Sequence, residues 1–359
     1  MRKLFPVFMA FAMTAAALTG CSSTPKATEA ASTAVSTEEA ATEATEAETA
    51  TAPETEAAEK PSVRVGSLKG PTSMGLVSMM DLDEKGETLN DYEFTMVTAA
   101  DELLGKMVNG DLDIALVPAN VSSVLYNKTE GAVSVIDINT LGVLYMVSGD
   151  TSIKSIVDLK GKTVYLTGKG TTPDYALQYL LSAFDLTTDD VTLEYKSEAT
   201  EVAAVLKEQP DAVGLLPQPF ATVATTQNEA LKLVLDLNEE WIAAQGDEGT
   251  SELVTGVTIV RNEFLEAQPD AVANFMMEHT DSADFAISNT KETAELVVAA
   301  GIIEKAPIAE KALPYCNITY IEGEEMKQAL SGYLEVLFQQ NPASVGGALP
   351  ADDFYYMPQ

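Results

Sequence analysis

Two short apolar runs in this chain end in the same way. Asn109-Gly110-Asp111-Leu112-Asp113 opens into Ile114–Val117 and stops at Pro118-Ala119-Asn120. Further on, Gln209-Pro210-Asp211-Ala212 opens into Val213–Leu216 and stops at Pro217-Gln218-Pro219-Phe220. Continuous apolar runs this short, bounded by turn residues, are the mark of strands buried on both faces.

The pattern around each run alternates strand with helix. Val63-Arg64-Val65 alternates like a strand and meets a Gly-rich turn, Gly66 to Ser73, before the apolar run Met74 to Met80. Gly, then Pro71 and the hydroxyl pair Thr72 and Ser73, signal a helix start. Tyr92 to Val97 reads as a strand, Asp101 to Val108 as a helix, and the first run as a third strand. Leu141 to Val147 reads as a further strand leading out of this unit. The order then restarts: strand Lys162–Leu166, turn Thr167–Asp174, helix Tyr175–Phe184, strand Val191–Tyr195, helix Ala199–Lys207, and the second run. Such alternation predicts parallel sheets with helices on their faces. Gly70 precedes Asp111 by the same interval as Gly170 precedes Asp211, which supports two lobes of like topology.

In open α/β sheets ligands sit beyond the carboxyl ends of the strands, at loops leading into helices. Helix N-termini there present unpaired N–H groups and partial positive charge. A Pro closing a strand removes a donor and turns the chain, so Asn120 and Gln218 are placed to point into a crevice. Thr72 and Ser73 on one wall, and Thr171 and Thr172 on the other, are hydroxyls at helix starts that cap, bind, or do both. Lys69 and Lys169 are candidates to neutralise a carboxylate or sulfonate, with simple solvent exposure as the alternative. Phe220 and Tyr145 either stack on an aromatic solute or pack in the core. None of these four loops contains an arginine, so the bidentate clamp of a tightly held carboxylate is not evident. That weighs against amino acids and simple oxyanions and leaves room for a neutral or aromatic ring.

The two ends of the sequence read differently. Met1-Arg2-Lys3 is basic, Leu4 to Leu18 is apolar, and Leu18-Thr19-Gly20-Cys21 follows. This order is that of a secretory signal with a bacterial lipobox, after which Cys21 is expected to be diacylated. Ser22 to Lys60 is almost entirely Ala, Thr, Glu and Ser and lacks aromatic residues, so it is expected to be a disordered, extended tether. The remaining chain, about 300 residues, suffices for two lobes of ordinary size.

Charge and reactive residues narrow the function classes. A formal net charge of −34 disfavours nucleic acid as a partner. Of two cysteines, Cys316 alone lies in the expected folded part, where it reads as a small buried apolar residue without the surroundings of a nucleophile. His279 is the only histidine, read as an exposed or partly buried helix residue, so no transition-metal cluster is expected and no metal or other cofactor is implied. Asp111 and Asp113 invite a paired-carboxylate reading, but Asp113 is expected to cap the turn before its strand. Gly168 and Gly170 lack the third glycine of a dinucleotide fingerprint.

The lipobox, the acidic tether, the Asn-Gly-Asp-x-Asp-Ile-Ala strand at 109–115 and the Gly-Lys-Gly-Thr turn at 168–171 together resemble bacterial lipoprotein solute-binding components of ABC importers. The stretch Gly256 to Val272, with Arg261, Phe264, Leu265, Glu266, Pro269 and Asp270, then Phe275-Met276-Met277 and Ala283, is similar to the return into the first lobe in the nitrate/sulfonate/taurine and thiamine-precursor binders. The resemblance spans nearly all of residues 61–340. It implies an α/β, bilobal periplasmic-binding-protein-like fold of type II, two doubly wound lobes joined by a two-segment hinge near 145–150 and 236–256. The expected boundaries are 1–20 for the signal peptide, 21–60 for the lipidated Cys and tether, 61–146 plus 250–359 for lobe 1, and 147–249 for lobe 2. It further implies a monomer without enzymatic activity, anchored by lipid on the extracytoplasmic face of the membrane, that closes on a small solute and docks on a permease with its ATPase. Thr72, Ser73, Asn120, Lys69, Lys169, Thr171, Thr172, Gln218 and Phe220 are the positions that match the family's loop contacts. Two rival readings are an enzyme of the same fold and a surface solute sensor.

Overall fold

The structure, a computed structural model, describes residues 60–246 and 251–358. The expected leader, Cys21 and the acidic tether lie outside the described residues. The chain begins with β1 (Ser62–Leu68), α1 (Pro71–Met74), α2 (Val77–Glu84), β2 (Asp91–Val97), α3 (Ala100–Asn109), β3 (Ile114–Pro118), α4 (Ala119–Lys128) and β4 (Val133–Thr140). It continues with β5 (Leu144–Ser148), β6 (Thr163–Leu166), α5 (Thr172–Ala183), β7 (Thr192–Tyr195), α6 (Ala199–Glu208), β8 (Val213–Pro217), α7 (Phe220–Gln227), β9 (Lys232–Asp236) and α8 (Leu237–Gln245). It returns through β10 (Gly256–Arg261), α9 (Asn262–Ala267), α10 (Pro269–Ser288), α11 (Thr290–Ala299), α12 (Ala306–Ala312), β11 (Ile318–Ile321) and α13 (Gly323–Gln340).

Two sheets result. The first has the order β11-β4-β10-β3-β1-β2 and the second β7-β6-β8-β5-β9. In the first, β1 pairs in parallel with β2 and β3, and β10 is wedged antiparallel between β3 and β4. In the second, β6 pairs in parallel with β7 and β8, and β5 is wedged antiparallel between β8 and β9. In each sheet the wedged strand is the one that has just crossed from the other lobe. This is the bilobal, doubly wound α/β architecture of type II periplasmic-binding-protein-like chains. The change of sheet falls at Leu141–Val143, a few residues before the crossing expected at 145–150. Leu144–Ser148 is already laddered to β8 and β9.

The elements follow from local chemistry. Ile114–Val117 and Val213–Leu216 are buried throughout because β3 and β8 are interior strands with helices on both faces. The turn that introduces β3 needs Gly110. With φ near 75° it ends α3 in the left-handed region, and its N–H returns to the carbonyls of Lys106 and Met107. The helix expected across Met74–Met80 breaks at Gly75 into α1 and α2. There Ile318 packs so closely that a Cβ on Gly75 would lie 3.2 Å from its methyl. Long α10 buries one stripe, Val272, Phe275, Met276, His279, Ser282, Ala283 and Ala286, against the first sheet.

Two expectations are corrected by this packing. His279 is fully buried, because its helix position falls on that stripe and Asp137 of β4 lies 3.2 Å from its Nδ1. Asp113 does not cap a turn. It accepts from the Arg64 backbone N–H (3.0 Å), from Arg64 Nε (2.9 Å) and Nη2 (2.6 Å), and from Arg261 Nη2 (3.1 Å). The cluster clasps β1, β3 and β10 at the amino ends of the parallel strands. Cys316 is buried, as expected.

Burial works against the Asp113 charge, yet the two guanidinium groups outweigh it and hold its carboxyl below the ordinary carboxylate range. A depressed folded value gives stability that is present above the unfolded pKa, about 4, and is lost as pH falls through the folded value. Asp113→Asn is therefore expected to lower stability near pH 7 by about 2–3 kcal/mol, the scale of hydrogen bonds to a charged group. The deficit relative to wild type should shrink on acidification below about pH 4, which urea unfolding at a series of pH values would read directly.

Candidate functional site

Only three residues, Leu141–Val143, carry the chain from Thr140 at the end of β4 to Leu144 at the start of β5. Leu144 sits opposite Pro217, the last residue of β8. Four Cα steps span at most about 14 Å. The carboxyl ends of both parallel sets are thereby held facing each other. The second crossing runs alongside, with Thr255 N–H donating to Thr140 O and Ala119 N–H to Thr255 O, each at 3.0 Å. The starts of α4, α7 and α8 gather at this junction, where first-turn N–H groups have no helical acceptor.

On the first wall, the Thr72 hydroxyl donates to Leu68 O at 3.2 Å, and its methyl lies over Gly256. Ser73 is fully buried, its hydroxyl bonded to Ser67 Oγ at 2.8 Å and to the Leu68 carbonyl, so it faces strand β1. Lys69 is exposed. Asn120 turns away toward the C-terminal segment, donating Nδ2–H to Ser344 O at 3.1 Å.

On the second wall, Thr171 caps its turn by donating to Gly168 O at 2.6 Å, and Lys169 places its ammonium 5.1 Å above the Tyr195 ring. Thr172 is half-buried beside the Tyr333 hydroxyl, whose pKa burial pushes up to about 12. Gln218 is almost wholly buried. Its Oε1 accepts from Thr222 N–H (3.3 Å) and Thr222 Oγ1–H (2.8 Å), which fixes the amide orientation and leaves Nε2 without a partner among the described residues. Phe220, 38% exposed, lies in a surface groove between α6 and α7 with Ala203 and Val223. Tyr145 is buried and donates its hydroxyl to Tyr315 O at 2.9 Å. Thr72, Thr172 and Gln218 thus remain at the facing strand ends, while Ser73, Asn120 and Phe220 point elsewhere.

Sequence reasoning missed the residues that support these walls. Asp174, in the first turn of α5, receives Gly170 N–H (2.7 Å), Gln178 Nε2–H (2.6 Å) and Tyr195 O–H (2.7 Å), fixing the Gly-rich turn from behind. An acid three residues after the Thr171 cap was the available signal. Behind the first wall runs a fully buried polar chain. His279 Nδ1 meets Asp137 Oδ2; Thr258 Oγ1–H donates to Asp137 Oδ1 (2.7 Å); Asn139 Nδ2–H donates to Thr258 Oγ1 (3.1 Å). At its outer end a Cβ on Gly256 would lie 2.5 Å from both Asn139 Oδ1 and the Thr72 methyl. Glycine there lets both side chains close over the second crossing. Beside Asn238, whose buried Oδ1 has no partner among the described residues, burial raises the Asp236 carboxyl above its ordinary pKa.

Charge at the strand ends is sparse. Both arginines among the described residues, Arg64 and Arg261, are held by Asp113 at the opposite pole of the first sheet. The polar groups at the facing ends are mainly hydroxyls, amides and backbone N–H groups. No helix among the described residues is long and apolar enough to cross a membrane.

Known proteins share this arrangement. A binding protein of Brucella abortus (strain 2308) is 25% identical over 264 residues, covering 72% of this chain and 78% of its own. The crystal structure of an ABC transporter protein from Parabacteroides distasonis superposes with a TM-score of 0.70 at 25% identity, over 83% of this chain and 99% of that one. The periplasmic aliphatic sulphonate binding protein SsuA from Escherichia coli has the same fold, with a TM-score of 0.65 at 16% identity, over 83% of this chain and 92% of that one. The NMT1/THI5-like family model matches residues 109–293, which run from the first Asn-Gly-Asp turn through the second lobe and back through α10 into α11, and the chain belongs to that family.

Proposed function

We propose that the chain is the extracytoplasmic solute-binding lipoprotein of an ABC importer. It captures a small organic solute between its lobes and presents the closed form to a permease and its ATPase. The observation that carries this reading is the pair of facing strand ends, each supplying helix starts, held together by a crossing of three residues in a family whose matched members are binding proteins. A solute touching both walls stabilises the closed form by its higher affinity for that form. Micromolar affinity corresponds to about 8 kcal/mol, part of which offsets closure and desolvation.

Sulfonates, nitrate-like anions and pyrimidine or vitamin precursors are the candidate classes, and the absence of a free arginine among the described residues favours the neutral or aromatic members. Thr72, Thr172 and Gln218 are the contacts we place first, with Lys69, Lys169 and Thr171 at the rim. We place lobe 1 at 61–143 and 250–359 and lobe 2 at 144–249, moving the expected boundary at 146 to the change of sheet at Leu141–Val143. Cys21 carries the lipid and residues 22–60 the tether, so the folded part acts as a monomer at the outer face of the cell membrane. The binding reading is preferred to the enzyme reading because the curated relatives carry binding-protein names.

A thermal-shift screen of the full chain in detergent, against sulfonates, thiamine-type pyrimidines, other vitamins and aromatic acids, tests the reading. A solute at a hundred times its dissociation constant adds about 2.7 kcal/mol of stability. Thr72→Ala with Thr172→Ala is expected to remove most of that shift, since each lost hydrogen bond costs about 1 kcal/mol; an undiminished shift would mean the solute binds elsewhere. Cys21→Ala is expected to abolish incorporation of radiolabelled palmitate in growing cells and to release the protein from the membrane fraction. Persistent labelling would refute the lipoprotein assignment.

A further inference from the structure

We propose that the two lobes move about one flank only: α13 is the fixed side of the hinge, and the mouth opens on the opposite flank, between α7 and the segment from α12 to Tyr315. The two flanks of the junction are built differently, and the difference decides which can separate.

On the α13 flank the lobes share one unbroken apolar body. Leu330, Tyr333 and Leu337 of α13, which packs on the first lobe through α4 and β4, are buried in the same cluster as Trp241 of α8, Leu177 of α5 and Leu253 of the second crossing. The Tyr333 and Trp241 rings lie 5.7 Å apart, and Tyr179 of α5 stacks 4.4 Å from Trp241. Gly332 touches the crossing so closely that a Cβ there would lie 2.7 Å from that of Ser251, whose hydroxyl accepts from Trp241 Nε1 at 3.2 Å. At the rim Asn341 Nδ2–H donates to Tyr175 Oη (2.7 Å) and Gln340 Nε2–H to Tyr175 O (3.1 Å).

On the other flank the cores stay apart. Leu313, Cys316 and Ile318 belong to a cluster confined to lobe 1, whereas Tyr145, Ala221 and Ala224 belong to one confined to lobe 2. What joins the lobes here is lighter: the Tyr145 and Tyr315 rings meet edge to face at 5.9 Å, α7 touches α12, and the remaining links are hydrogen bonds close to the axis. Tyr145 O–H donates to Tyr315 O, Asn317 Nδ2–H to Gly142 O, and Leu141 N–H to Asn317 O. Outside these bonds lies a groove of about 500 Å³ whose lining includes Thr222, Thr226, Leu231, Leu233, Lys311 and Tyr315. A groove of about 450 Å³ also lies between α5 and α13, so the flanks differ in the apolar body beneath the surface and not in surface openness. Wetting the α13 flank would expose several large apolar side chains, each disfavoured on exposure to water. Widening the groove exchanges a few hydrogen bonds for bonds to water and parts one edge-to-face ring pair, a smaller change than wetting the α13 cluster. The opening motion therefore takes the second route.

Pairs of spin labels on the full chain carrying Cys21→Ala test this without any solute. Thr226→Cys with Lys311→Cys spans the groove, and Ser182→Cys with Gln339→Cys spans the α13 flank; all four positions are exposed. Native Cys316 is buried and its thiol is pushed up to about 12 by that burial, so it stays unlabelled. The groove pair is expected to give a distance distribution about twice as wide as the α13 pair, or two resolved populations. Equal widths, or a wider distribution across α13, would overturn the proposal. The result is independent of the importer reading: a chain that binds a solute yet parts along α13 sinks only this inference, and a chain that binds none can still show the one-sided motion.

Discussion

The shortness of the first crossing is the constraint on which the rest of the structure depends. Because three residues separate β4 from β5, the carboxyl ends of both parallel sets must face each other within a few residues' reach. Every feature expected of a ligand crevice then follows from ordinary α/β geometry. Strand ends supply Pro-terminated turns, helix starts supply donors, and the wedged strands β5 and β10 lock each lobe to the chain arriving from the other. A longer linker would have left the relative placement of the sheets to side-chain packing alone. Here the backbone settles it, and packing decides only how freely the lobes move.

Much of the fold was legible because apolar periodicity and turn chemistry agreed. The runs at Ile114–Val117 and Val213–Leu216, with Gly110 before one and Pro217 closing the other, named both central strands without help from tertiary contacts. The strands β4, β9 and β11 were not named, and the reason is physical in each case. Val133–Thr140 is buried at every position yet carries Ser134, Asp137, Asn139 and Thr140, so polar residues that hydrogen-bond across the lobe masked a core strand. Ile318–Ile321 and Lys232–Asp236 are short outer strands whose pairing is set by distant segments. The misplacement of His279 has the same origin. Its polar partner among the described residues, Asp137, is distant in sequence, and no local pattern announces such a pair.

The candidate site was legible by position and less so by direction. Strand-end logic located the turns correctly but says nothing about where a side chain goes when the neighbouring backbone offers it an acceptor. Ser73 takes the Leu68 carbonyl and Asn120 takes the Ser344 carbonyl, so two of the expected wall residues serve the fold. Gln218 is the opposite case. Thr222 engages one half of its amide, and the other half is buried with its donor unmatched. Buried donors are seldom left so, and a group of this kind at a strand end is where a solute acceptor would be most strongly felt.

The electrostatic arrangement carries the same argument one step further. The chain is strongly acidic, its described arginines are both held by Asp113, and the first wall is backed by the uninterrupted polar chain from His279 to Asn139. A mobile cationic side chain at the crevice would bind anions in the open state as readily as in the closed one, contributing affinity without favouring closure. Fixed donors act differently, because hydroxyls and helix N–H groups on facing walls converge on one solute only when the walls approach. Placing guanidinium groups at the far pole, where they tie β1, β3 and β10 together, leaves hydroxyls, amides and helix N–H groups at the facing strand ends, with Lys69 and Lys169 outside them at the rim. In the proposed solute-binding role, binding and closure would be coupled by this geometry, and a solute that fits only one wall would gain little from either.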